Sequence, residues 1–101
     1  MGTIVRGLIV PIVTSLVVVN KAALLTLGQR IRASRKSLSW SQEDLAAEAE
    51  IDRSYIGGVE RGGRNLTFTV LCRICRALGC DVAELTRGIP HPLPLAPEPV
   101  V

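Results

Sequence analysis

QEDLAAEAEIDRSYIGGVER, residues 42–61, decides how this chain folds. It reads as two short helices joined by a tight turn. Ser41 precedes the first, with Asp44 three residues on, which is the spacing of a reciprocal N-terminal cap. Asp52 precedes the second as another capping residue. Helices joined so tightly cross at a steep angle, and the crossing limits which residues can be large. Ala46 falls where the two approach most closely, so only a small side chain fits. Leu45, Ala49, Ile51, Ile56 and Val59 are apolar where the pair and its turn must share a core, and charged residues fall on the remaining positions. Gly62 and Gly63 stop the second helix.

Working outward, residues 21–88 carry helical periodicity almost throughout. A first helix over about residues 22–37 sets Leu24, Leu27 and Ile31 on one face. Trp40, just before the next helix, plugs the core below it. A fourth helix starts at the cap Thr67, places Phe68, Leu71, Ile74, Cys75 and Leu78 on one stripe, and ends at Gly79. A fifth, of one or two turns, starts at Asp81, with Glu84 closing a capping box and Leu85 inward. The predicted fold class is therefore all-α with five helices. On the first helix, Arg30, Arg32 and Lys36 read as a solvated face.

Two flanks differ in composition. Residues 1–20 are apolar and β-branched with Arg6 as their one charge, and form an N-terminal extension of unknown role. The apolar run 8–19 is about half of what a membrane helix needs, and Pro11 interrupts it. No small-residue cleavage site follows, so neither a signal peptide nor a membrane contact is expected. An extra strand, a dimer contact or upstream sequence read from an early start codon all remain open for it. Residues 89–101, IPHPLPLAPEPVV, hold five of the six prolines and the single histidine, and read as a disordered, polyproline-like tail.

The 101 residues suffice for one modest core, and with 48% hydrophobic but 3% aromatic residues that core is built from Leu, Ile, Val and Ala. A net charge of +3 is compatible with a nucleic-acid partner without demonstrating one. Cys72, Cys75 and Cys80 are odd in number and crowded, which is not a secreted disulfide framework and points to the reducing cytoplasm. The Cys72–Cys75 pair is a lone CxxC. A structural zinc site needs four ligands, and only Cys80 and His91 are left to complete one, so no metal is expected and the cysteines read as small core hydrophobes. With the one histidine in the tail, no catalytic constellation forms, no phosphate loop follows a strand, and neither enzymatic activity nor a cofactor is expected.

The quoted stretch, with LGQRIRASRK before it and RNLTF leading to LCRICRALGCDVAEL after it, resembles the Xre/Cro family of lambda-repressor-like helix-turn-helix proteins. Within that family, the DRSYI, VERG and RN series looks most like the controller proteins of restriction-modification systems. The resemblance covers roughly residues 24–85. It implies a transcriptional regulator bound to double-stranded DNA, with the helix after Asp52 in the major groove. Arg53, Ser54 and Tyr55 would then contact bases, and Gln42, Arg61, Arg64 and Asn65 would contact phosphates. Arg35 and Glu60 resemble the family's internal ion pair between the first and third helices.

Two departures stand out. Glu50 occupies the turn position that the family usually gives to glycine, at a cost of about 1 kcal/mol if its backbone is left-handed. Gly57 and Gly58 lie inside the recognition helix, which leaves its groove surface bare beyond Arg53 and Ser54 and shifts discrimination toward DNA shape. One such domain reads few base pairs, so a homodimer on a pseudo-palindromic operator is expected, with the fifth helix at its interface. The alternatives are an antitoxin-like protein-interaction module and a metal- or redox-sensing regulator.

Overall fold

The computed structural model describes residues 2–5 and 8–90, and side chains from residue 20 onward. Two short strands, β1 (Gly2–Val5) and β2 (Leu8–Pro11), pair antiparallel with Gly2 opposite Pro11 and Val5 opposite Leu8. Five helices follow: α1 (Ile12–Ser37), α2 (Gln42–Ala49), α3 (Arg53–Glu60), α4 (Phe68–Leu78) and α5 (Val82–Thr86). The five-helix, lambda-repressor-like bundle is the one expected. Helix α1, however, starts at Ile12 and runs 26 residues, not from about residue 22. Valines 17–19 hid this start, because β-branched side chains lose rotamer freedom in a helix and read as strand. Pro11 sits immediately before it, where a missing N–H costs nothing. Among the described residues, no helix is long and apolar enough to cross a membrane. His91 and the rest of the proline-rich tail beyond Pro90 lie outside the described residues.

The caps form as the spacing requires. Ser41 Oγ accepts from the Asp44 amide at 3.0 Å, and Asp44 accepts from the Ser41 amide at 2.8 Å. Asp81 and Glu84 make the same reciprocal pair at α5. Ile31, Leu45, Ile56 and Ile74 are fully buried, one from each of α1 to α4, and Leu85 adds α5. Trp40 packs half-buried against this cluster.

Cys75 is buried and Cys80 packs beside it. Burial, and then the neighbouring Cys80 thiol, push the Cys75 thiol up to about 12. It stays protonated and behaves as a small hydrophobe. Phe68 departs from its expected place on the α4 stripe: it is 69% exposed. The helix meets its packing partners from Val70 and Leu71 on, which are half-buried against the core, and Ile74, Cys75 and Leu78 beyond them are buried. Its first two residues, Phe68 and Thr69, are exposed.

Two arginines close helices that the sequence left open. Arg30 Nη1 donates to the carbonyl oxygens of Leu85 and Arg87, at 3.0 and 2.6 Å, and so caps the end of α5; it is not part of a solvated face. Arg73 does the same for α2, with Nε 3.1 Å from the Ala49 oxygen and Nη2 on the Glu50 oxygen. Cations suit helix C-termini because the last carbonyls lack intrahelical partners.

Helices α1 and α3 touch backbone to backbone. A Cβ on Gly28 would stand 2.4 Å from the Val59 oxygen and 2.7 Å from that of Glu60. Gly28→Ala should therefore force the two helices apart, costing about 3 kcal/mol even though Ala favours helix. Thermal unfolding should show a melting point lower by more than about 10 °C, and an unchanged one would refute the contact.

Candidate nucleic-acid interface

Helix α3 is presented from its N-terminus. The Asp52 carboxylate accepts from the Ser54 amide at 3.0 Å and from the Ser54 hydroxyl. The hydroxyl bond leads in holding the Asp52 carboxyl below its ordinary range; slight desolvation opposes it, and the Ser54 and Tyr55 amides and Arg53 reinforce it. The cap thus stays ionised, and the Ser54 proton is engaged in it. Arg53 projects from the first turn with 59% of its side chain exposed. It pairs with Glu43 of α2, with Nε 3.9 Å from Oε2, a solvent-exposed pair of little energetic weight.

The second turn of α3 is not bare. Gly57 and Gly58 are both buried, because side chains from elsewhere lie across them. A Cβ on Gly57 would stand 3.2 Å from Arg61 Nη1 and 3.5 Å from Gln42 Oε1. One on Gly58 would stand 2.9 Å from Arg64 Cγ. The Arg64 guanidinium carbon lies over the Tyr55 ring, 5.2 Å from its centroid, within cation–π range. The two glycines give up about 1 kcal/mol each in helix propensity, and the room they leave brings two arginines onto the helix.

Beneath this surface lies a buried ion pair. Arg35 Nε donates to Glu60 Oε2 at 2.7 Å and Arg35 Nη2 to Glu60 Oε1 at 2.9 Å, while Arg35 Nη1 donates to the Trp40 oxygen at 2.8 Å. Gln42 Nε2 adds a bond to Glu60 Oε1 at 3.1 Å. Burial pushes the Glu60 carboxyl up, but the bonds from Arg35 and Gln42 and the charges of Arg35 and Arg32 outweigh it and hold the group below its ordinary range. The bond to Glu60 raises Arg35 correspondingly, against the cost of its own burial.

The turn between α2 and α3 is left-handed at Glu50, with φ 56° and ψ 48°. Its amide bonds back to the Ala46 and Ala47 oxygens and its own oxygen takes Arg73, which offsets the strain of a non-glycine residue there.

The structure brings Arg53, Ser54, Tyr55, Arg61 and Arg64 together along α3 and its exit. Gln42 lies at the start of α2 with its amide turned to Glu60. Asn65 is exposed beyond them, beside a cavity of about 300 Å³ that it lines with Asn20, Ala23 and Leu24. Glu43, Gly28 and Arg73 went unmarked in the sequence. Two consecutive glycines inside a helix were the available signal for a close approach.

Among the described residues, no cluster of three or more His, Cys, Asp or Glu side chains is placed to hold a metal ion. All three cysteines are free thiols.

This arrangement is that of a helix-turn-helix protein, and the Helix-turn-helix family profile matches residues 31–85. The chain belongs to that family. It is 42% identical over 62 residues to control protein C.BamHI of Bacillus amyloliquefaciens, spanning 60% of this chain and 76% of that protein. The crystal structure of the restriction-modification controller protein C.AhdI from Aeromonas hydrophila is 44% identical and superposes with a TM-score of 0.60, covering 61% of this chain and 94% of that one. The controller C.Esp1396I, solved as a tetramer with its natural 35 base-pair operator, is 35% identical with a TM-score of 0.59, over 62% and 83%.

Arg35→Ala should leave the buried Glu60 carboxylate without a counter-ion, with only the Gln42 amide bonded to it, a loss of about 3–5 kcal/mol at neutral pH. Because the folded Glu60 pKa lies below its unfolded value, the pair contributes fully above the ordinary carboxylate range and fades as pH falls through the depressed folded value. The penalty of Arg35→Ala should accordingly shrink in acid. Urea unfolding of both proteins at neutral and acid pH measures this, and a penalty that stays constant with pH contradicts it.

Proposed function

We propose that this chain is a sequence-specific, DNA-binding transcriptional regulator of the restriction-modification controller type, acting as a homodimer on a pseudo-palindromic operator. The observation that carries the reading is the outward tip of α3, where Arg53 and Ser54 stand exposed at the capped first turn and two arginines lie on the second. A helix capped at its N-terminus and fixed at its C-terminus by a buried ion pair is a rigid probe for a major groove. Arg53 donates its paired N–H groups to a guanine edge, Ser54 offers its oxygen to a base, and Tyr55 flanks them. Gln42, Arg61, Arg64 and Asn65 neutralise or bond the backbone on either side.

Two copies related by a twofold axis, with α5 at their contact, read half-sites about 10 base pairs apart or a multiple of that. The operator-bound tetramer of C.Esp1396I supports an oligomer on DNA. The protein acts in the cytoplasm, where its three free thiols stay reduced. The relatives described above lend nothing to the antitoxin-like alternative.

Arg53→Ala should weaken binding to the operator far more than to random duplex, by roughly 1–3 kcal/mol of lost discrimination. Arg61→Ala should weaken both alike and reduce the salt slope by about one phosphate's worth. Equal behaviour of the two variants in salt-titrated binding would refute the division of roles. Analytical ultracentrifugation is expected to show a dimer on operator DNA, and a monomer both free and bound would remove the symmetric reading.

A further inference from the structure

We propose that β1 is a contact strand, whose open edge pairs antiparallel with β1 of a second copy and joins two hairpins into one four-stranded sheet about a twofold axis. Among the described residues, β1 packs on β2 and β2 on α1. Helix α1 comes against the rest of the domain at Asn20, Ala23 and Leu24, which line a cavity with Asn65. The eight residues of α1 before Asn20 extend it about 12 Å past that junction. Together with β1 and β2 they make sixteen residues, of which eleven are Ile, Leu or Val and none is charged.

The backbone decides which groups lie open. β1 and β2 form a two-stranded sheet, so each has one edge that the other does not cover. Their register sets Gly2 against Pro11, Thr3 against Val10, Ile4 against Ile9 and Val5 against Leu8. Pro11 has no N–H to donate, so Gly2 and Pro11 are not a hydrogen-bonded pair. Such pairs alternate along an antiparallel ladder, which makes Thr3–Val10 and Val5–Leu8 the bonded ones. The N–H and C=O groups of Gly2 and Ile4 therefore point away from β2. Pro11 blunts the outer edge of β2, whereas β1 holds neither a proline nor a charge to discourage pairing.

A second copy satisfies that edge. With Thr3 on the axis, Ile4 of each copy lies opposite Gly2 of the other, and the outward groups of both strands find partners. A lipid surface would leave them unbonded. An uncharged arm is matched by an equally uncharged surface, which its own copy supplies. Each aliphatic residue removes roughly 60–120 Å² from water when buried, so covering most of the eleven reaches the about 800 Å² per partner of a stable contact. Ile12, where the hairpin joins α1, lies about 27 Å along the helix from Arg30, which holds α5. The β1 contact thus adds to the α5 contact proposed above without needing it, and joins two dimers that each keep their own operator.

Ile4→Pro removes one outward donor and keeps the β1–β2 ladder, since proline is tolerated on an edge strand where its missing N–H would face outward. Ile9→Pro makes the same change on the outer edge of β2. The full-length proteins, free of DNA, are compared by sedimentation equilibrium at equal concentrations, with the melting point as a check on the bundle. Ile4→Pro is expected to halve the assembled mass and Ile9→Pro to leave it at the wild-type value, with both melting points unchanged. In the wild type, hydrogen exchange at the Ile4 amide should slow as protein concentration rises, while that at Ile9 should not. Equal masses for wild type and Ile4→Pro overturn the inference, and so does an equal loss of mass in both variants, which marks a hairpin that needs only its isoleucines. Four copies falling to two in Ile4→Pro support the β1 and the α5 contacts together. Two copies falling to one support β1 pairing and remove the α5 dimer, so the two readings fail separately.

Discussion

Glu60 carries a carboxylate into the interior at the end of α3, where water cannot stabilise it, and Arg35 is the group that makes this tolerable. The two bonds between them are parallel and planar, so they fix an angle as well as a distance. Arg35 is tied in turn to the Trp40 carbonyl, and Glu60 to Gln42 at the start of α2, so the pair joins α1, α2 and α3 at one point. Buried ion pairs often contribute little net stability against apolar residues of the same volume. What this pair contributes is direction. With Gly28 letting α1 press onto the α3 backbone, the recognition helix is held at its inner end and leaves its outer end clear.

The arginines divide into two groups that the net charge of +3 does not reveal. Arg30, Arg35 and Arg73 are spent on bonds within the domain: Arg35 holds Glu60, while Arg30 and Arg73 bond helix-terminal carbonyls in place of the caps that glycine or asparagine provide elsewhere. Arg53, Arg61 and Arg64 face outward around α3. The second group depends on the first. Arg73 closes the strained turn at Glu50 that sets the angle between α2 and α3, and Arg35 anchors the far end of α3. The exposed charge around α3 is thus placed by charge spent on bonds within the domain.

Gly57 and Gly58 show a local rule yielding to a tertiary one. By helix propensity alone they weaken α3. In the folded domain they are the reason that Arg61, Arg64 and Gln42 reach across it, so the missing Cβ atoms are occupied space and not bare surface. Phe68 is the opposite case: it obeys the helical period of α4 yet stands in solvent, because the period says which side a residue faces and not whether anything is there to meet it.

The sequence by itself determined the five helices, their caps, the tight turn, the apolar set that fills the core and the Arg53–Ser54 tip, because capping and hydrophobic periodicity act within a few residues of the chain. It misplaced the start of α1, where β-branched residues mask a helix. Only the tertiary structure decided the use of Gly28, Arg30, Arg73 and the glycine pair. Each of these answers to a group that the chain brings near only on folding, such as a carbonyl at the end of another helix, a backbone crossing at van der Waals contact, or an arginine returning over a helix already passed. For Gly28, Arg30 and Arg73 that group lies tens of residues away, and for the glycine pair it depends on how the chain turns after α3.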